Sequence, residues 1–226
     1  MNAKRIIWIR IVFVLLSALL CFCIVANSHK SLTGYSEYDS LINSVSAVRN
    51  GTLEYDPSLF NCDVITNHSG WMLKDIDNNG QPELIFGVNW ESDSSTIFNI
   101  YTLHNGQCVQ LVDGWNRNRF YICDDIIINA WDNSNFEYGY NYYRYNNVTL
   151  KIYQSISYLG YPHKGTTHEW YYSTESDSGR VLIGKGTSNY QINPLFIPIS
   201  EKEADSLIES YNYELFTWKP FKEQRP

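Results

Sequence analysis

Cations are scarce in this chain, and so are cysteines and the short signatures of catalysis. Lys and Arg number 17 against 24 Asp and Glu, leaving a formal net charge of −7 over 226 residues. An N-terminal leader carrying Lys4, Arg5 and Arg10 would leave the remainder more negative still. A surface of that sign repels phosphate backbones and argues against nucleic acid as a partner. Of 5 cysteines, Cys21 and Cys23 fall inside an apolar run, leaving the odd set Cys62, Cys108 and Cys123 with no C-x-x-C spacing. That argues against a disulfide framework and a thiolate zinc site. Three mostly buried small hydrophobes are expected instead; the alternative is one disulfide with a leftover thiol. His29, His68, His104, His163 and His168 form no H-x-x-H or H-E-x-x-H spacing. There is no G-x-S-x-G, no dinucleotide glycine pattern and no phosphate loop: Gly184-Lys185-Gly186-Thr187 has Arg180 where the upstream glycine belongs. No internal repeat occurs, which argues against a complete multi-bladed propeller.

What is abundant is aromatic. The 18 tyrosines and 7 tryptophans, with only 18% charged residues, suit strands with aromatic faces better than a helical bundle. Lys4, Arg5 and Arg10 precede the apolar run Ile11 to Ala26, and Ala26 and Ser28 supply the small residues a signal peptidase needs. Sixteen helical residues reach about 24 Å, short of the roughly 30 Å hydrocarbon core. Residues 1–28 are therefore expected to be a signal peptide, with an uncleaved anchor over residues 6–26 as the alternative. In either case 29–226 is expected outside the cell as a single exported β-rich domain.

Asp75-Ile76-Asp77-Asn78-Asn79-Gly80-Gln81-Pro82-Glu83 carries side-chain oxygens at 75, 77, 79 and 83, with a glycine after the third. Calcium takes six to eight oxygens at about 2.3–2.6 Å. A tight loop can aim alternate side chains at such an ion and offer the backbone carbonyl of Gln81 where a carboxylate is missing. Gly80 lets the chain turn sharply. The expected metal ligands are Asp75, Asp77, Asn79, Gln81 and Glu83, and the expected cofactor is Ca²⁺. An EF-hand fits less well, because its twelfth position is Phe86 and Pro82 to Phe86 reads as a strand rather than a helix. The competing reading is a metal-free turn in which Asp and Asn cap backbone amides.

DIDNNGQPELIFG resembles the calcium loop of FG-GAP/VCBS-type repeats, D-x-[DN]-x-[DN]-G-x-x-[DE] between two strands. It is closer still to a group of secreted or surface proteins of Gram-positive bacteria that carry one such loop, then a β-meander and a C-terminal "IS-EEE-Y…I…Y…W-P" tail. The matching residues are Ile199-Ser200-Glu201-Lys202-Glu203-Ala204, Leu207-Ile208, Tyr211 and Trp218-Lys219-Pro220. The resemblance implies a bacterial surface setting and no established activity.

The remaining pattern is mainly β: an antiparallel meander flanked by an N-terminal and a C-terminal helix. Tyr38, Leu41, Ile42, Val45 and Val48 predict a helix over 35–49 ended by Asn50-Gly51. The polar stretch 52–69 reads as a loop. Strands are expected at 96–104 by alternation, at 108–112 after an Asn105-Gly106 hairpin turn, and at 120–123 and 126–131 around Asp124-Asp125. Further strands follow at 138–145 and 148–157, with a turn at Asn146-Asn147, and at 169–173 and 181–183. Ser200 and Glu203 form the signature of a capping box, followed by the stripe Ala204, Leu207, Ile208 and Tyr211 and a closing strand at 214–218.

The function expected from these residues is a non-enzymatic exported scaffold or interaction protein in which calcium holds the Leu73–Val88 hairpin. An alternative is a glycan- or host-protein-binding module using Tyr138, Tyr140, Tyr142 and Trp170, although cross-strand aromatics also serve as ordinary sheet stabilisers. A third is a hydrolase using Asp124 or Glu169. Asp124-Asp125 reads more simply as an acidic turn facing solvent, and His168 and Glu169 would point to opposite strand faces.

Overall fold

The computed structural model describes residues 31–60, 62–66, 69–90, 94–134, 137–146, 148–159, 169–175, 180–182, 190–192 and 194–221. The expected leader, 1–28, lies outside the described residues, as do His29, His68, His163, His168 and the segment 184–187. Among the described residues no helix is long and apolar enough to cross a membrane.

Helix α1 (Ser36–Arg49) forms where the apolar spacing predicts it. Tyr38, Ile42 and Val45 are buried, Leu41 and Val48 pack beside them, and the chain leaves through Asn50 and Gly51, whose φ is 69°. The stretch read as a loop, 52–69, contains a short helix, α2 (Asp63–Thr66). Phe60, ahead of this helix, and Val64 within it are buried in the same cluster as α1, so a short apolar pair too brief to show periodicity adds to the core.

Ten strands follow in an antiparallel run: β1 (Gly70–Lys74), β2 (Glu83–Val88), β3 (Thr96–His104), β4 (Gln107–Asp113), β5 (Asn118–Cys123), β6 (Ile126–Ser134), β7 (Glu137–Asn146), β8 (Thr149–Leu159), β9 (Glu169–Ser173) and, after a separate small hairpin of β10 (Arg180–Leu182) and β11 (Tyr190–Ile192), β12 (Ile197–Ile199). With β13 (Lys219–Pro220) they make an 11-stranded sheet ordered β12-β9-β8-β7-β6-β5-β3-β2-β1-β13, with β4 paired to β3 beside β5. Both outer strands, β12 and β13, are short, which limits the unpaired edge. The Asn105-Gly106 turn has positive φ at both residues (52° and 72°), as a two-residue hairpin turn requires. The β7–β8 turn sits between Asn146 and Thr149, one residue later than expected.

Strand β3 departs from simple alternation, because it is buried on both faces from Thr96 to Thr102. A bulge in its pairing with β2, between Phe86 and Gly87, shifts the side chains. Ile97 and Ile100 thereby join one cluster, while Phe98 and Tyr101 join another. The three-residue spacing of Ile97 and Ile100 is the trace of that extra residue, while Leu103 packs with Phe98 and Tyr101.

The sheet is strongly curled. β2 and β7 are four strand spacings apart, about 19 Å if flat, yet the Tyr145 hydroxyl lies 3.3 Å from Glu83 Oε1. Ile85, Ile97, Ile100, Phe120, Ile122, Ile127 and Tyr145 cluster inside the curl. Outside it, α1 covers Leu84 and Phe86 at one end. Helix α3 (Glu201–Ile208) and the tail after it cover Tyr121, Ile128 and Tyr142 at the other.

The tail is not the closing strand expected at 214–218. It runs without regular structure, tied by Glu214 N–H to Ile122 O (2.8 Å), Phe216 N–H to Ser95 Oγ (2.7 Å) and Trp218 Nε1 to Asn89 Oδ1 (2.7 Å), and pairs with β1 only at Lys219 and Pro220. Gly87 makes room for it: a Cβ there would stand 2.6 Å from Cη2 of Trp218.

Candidate metal centre

The sequence from Lys74 to Glu83 folds as a hairpin loop. β1 and β2 pair from Gly70↔Gly87 to Lys74↔Glu83, leaving 75–82 as the connection between strands, with no helix after it. Two residues take left-handed backbone, Asn78 (φ 57°) and Gly80 (φ 87°). Asparagine tolerates that region better than most side chains, and glycine adopts it without steric penalty.

The turn brings three carboxylates together. Asp75, Asp77 and Glu83 each present an oxygen within 4.8 Å of the others'. Two oxygens bound to one calcium ion can stand no farther apart than twice the bond length, about 4.6–5.2 Å, so the spacing fits a shared ion. The donors are hard carboxylate oxygens, with no thiolate or imidazole among them, which suits a hard cation.

Each carboxylate is held differently. Asp75 accepts from the loop amides of Asn79 (Oδ1, 3.0 Å) and Gly80 (Oδ2, 2.8 Å), so it caps the turn and keeps one lone pair on each oxygen. Asn79 Oδ1 accepts from Gln81 N–H at 2.7 Å, and Gln81 Nε2 donates to Leu103 O at 2.7 Å, pinning that side chain to β3. The amide-capping expected of a metal-free turn is thus present, and it coexists with the convergence of the three acids.

Glu83 is the deepest of the three and fully buried. Its Oε2 accepts from Ile76 N–H at 2.9 Å, and its Oε1 from the hydroxyls of Thr102 (3.2 Å) and Tyr145 (3.3 Å). Burial pushes its carboxyl up from 4.5 to about 7, the Asp77 charge pushes the same way, and the three hydrogen bonds pull back only in part. A cation at the triad would reverse both upward effects.

Thr102 and Tyr145 belong to this site and are invisible to sequence reasoning. Tyr145 is the last ring of the tyrosine-rich strand, on the opposite face from Tyr138, Tyr140 and Tyr142, and nothing local says which carboxylate it meets. Tyr38 supports the loop from α1, donating to Pro82 O at 3.0 Å.

The other candidate residues go elsewhere. Tyr142 is fully buried and stacks on Tyr211, and Trp170 is buried edge-on to Tyr138, so neither is an exposed contact. Tyr138 and Tyr140 are half-buried. Asp124 and Asp125 form an exposed two-residue turn, with Asp124 at φ 55° and its amide donating to Glu214 Oε1 at 3.0 Å. The side chain of Glu169 lies outside the described residues. Cys108 and Cys123 are free thiols and half-buried, whereas Cys62 is exposed rather than buried as expected.

Set against protein-family models, curated proteins and solved structures, the chain matches none of them. It is a mainly antiparallel β-sheet protein with a partly buried acidic triad able to hold a metal ion, and no family is identified.

Proposed function

We propose that this chain is an exported, non-enzymatic β-sheet protein of the cell surface or its surroundings, whose β1–β2 hairpin is fixed by one calcium ion. The observation that carries the reading is the convergence of Asp75, Asp77 and the fully buried Glu83 on one point of a β-hairpin loop. Asn79 and the Gln81 carbonyl complete the oxygen set. The likeness of DIDNNGQPELIFG to the single calcium loop of secreted Gram-positive proteins supports calcium. Lys4, Arg5 and Arg10 ahead of an apolar run, with Ala26 and Ser28 behind it, support export. N-terminal sequencing of the chain recovered outside the cell should begin at His29.

The metal's task is structural. An ion that binds only the folded chain stabilises it by RT ln(1 + [L]/Kd). In millimolar external calcium, a Kd near 10⁻⁴ M contributes about 1–2 kcal/mol. Thermal melts in calcium and in EDTA test this. The midpoint should rise by several degrees with calcium, and Asp77→Ala should remove the difference. Coincident melts of the native chain under the two conditions would refute the site.

A further inference from the structure

A second site lies on β5–β7, across the sheet from the metal hairpin and independent of it. Arg119, Ala130 and Tyr140 face one another across three strands, and Asp132 and Tyr138 form the next row on the same face. The tail covers the neighbouring residues, Tyr213 stacking on Tyr121 at 4.5 Å beside Tyr140 and Arg119 and Tyr211 stacking on Tyr142 at 4.3 Å, and does not line the space over this row. Ala130, the small residue between an arginine and a tyrosine, leaves the gap. The result is an open groove of about 340 Å³ lined by Arg117, Arg119, Asp132, Tyr138 and Tyr140.

Its chemistry is specific. Neither the Arg117 nor the Arg119 guanidinium has a hydrogen-bond or ion-pair partner among the described residues, in a chain whose net charge is −7. Tyr140 is half-buried and stacks on no other ring among the described residues. Two free guanidinium forks fit a carboxylate. Tyrosine faces offer a flat apolar wall with a polar edge. Asp132, on the same face, would repel a multiply charged anion but accepts hydrogen bonds from hydroxyls. A ligand suited to all three has one carboxylate, several hydroxyls and a flat C–H face. The volume is at the small end for ligand clefts, enough for one or two sugar rings.

We propose that this groove binds an acidic sugar, a uronate or sialate unit of a glycan. Arg117 and Arg119 hold its carboxylate, Asp132 accepts from its hydroxyls, and Tyr140 lies against the ring. Calorimetric titration of the full-length chain with trisaccharides ending in glucuronate, galacturonate or sialate should give saturable binding to at least one. The uncharged trisaccharide of the same length should bind at least about tenfold more weakly, as should the acidic one to Arg117→Ala/Arg119→Ala. Both arginines are surface-accessible, and an unchanged melting temperature confirms that the variant folds. Asp132→Ala separates a sugar site from a bare anion site: it should weaken the acidic sugar and strengthen inorganic phosphate. Failure of all three acidic probes, full retention in the double arginine variant, or phosphate binding as tightly as the sugar would each overturn the proposal. Repeating the titration in EDTA should leave the binding in place, so failure of the calcium reading and failure of this one are told apart.

Discussion

Glu83 concentrates the residue-scale physics of this protein. Folding removes its carboxylate from water and sets it beside Asp77, raising its carboxyl from 4.5 to about 7. The folded chain then binds this proton more tightly than the unfolded chain. In chelator, its contribution to stability is greatest below about pH 4.5 and falls as pH rises to about 7, by on the order of 3 kcal/mol. With calcium bound the carboxylate is held ionised, protons compete with the metal, and the slope turns over, stability falling on acidification. Melts against pH in EDTA and in calcium should show opposite slopes between pH 4.5 and 7; parallel curves would place the charge elsewhere. Glu83→Gln should abolish the calcium effect, yet in EDTA at pH 8 match or exceed the native chain's stability, because the amide keeps an acceptor for Ile76 N–H without burying a charge. The convergence of this residue with Asp75 and Asp77 was legible from their spacing. The hydroxyl partners of Glu83 were not, since Thr102 is 19 and Tyr145 is 62 residues away.

Among the elements, α3 shows how local chemistry sets a boundary. Ser200 Oγ accepts from Glu203 N–H at 3.2 Å, and Glu203 Oε2 accepts from Ser200 N–H at 2.8 Å, closing the capping box read from the sequence. That start orients Ala204, Leu207 and Ile208 onto the Tyr142 face of the sheet. Ser200→Ala should cost about 1 kcal/mol, a fall of roughly 2–4 °C in melting temperature, with calcium affinity untouched. A loss of calcium response in that variant would show that the two ends of the sheet are coupled through α3. The elements least legible in the sequence were those with mixed or very short patterns. β3 is buried on both faces behind a bulge, α2 is a single turn, and the tail at 214–218 satisfies its backbone against Ile122, Ser95 and Asn89 instead of joining a ladder.

Across the whole molecule, the curl of the sheet joins the acidic triad to its far half. Tyr145 reaches Glu83 from β7, so a cation that orders Glu83 also tightens a contact between strands four places apart. Calcium should therefore slow hydrogen exchange in β6 and β7 as well as in the 75–83 loop. Tyr145→Phe should confine that protection to the loop and weaken calcium by roughly tenfold, as loss of an outer-shell partner does. Protection limited to the loop in the native chain would show that the curl is closed independently of the metal.

The sequence by itself determined what neighbours within a few residues decide: the oxygen spacing of the 75–83 turn, its glycine hinge, the Asn105-Gly106 hairpin, the apolar stripe of α1 and the cap of α3. The tertiary structure alone decided the strand order, the curl that brings Thr102 and Tyr145 to Glu83, the burial of Tyr142 and Trp170, and the row that sets Arg119 opposite Tyr140 across Ala130. The reason is physical. Turn and cap geometry follows from short-range sterics and hydrogen bonding, whereas register and curvature follow from bulges and cross-strand packing summed over the whole sheet, which hydrophobic periodicity does not encode.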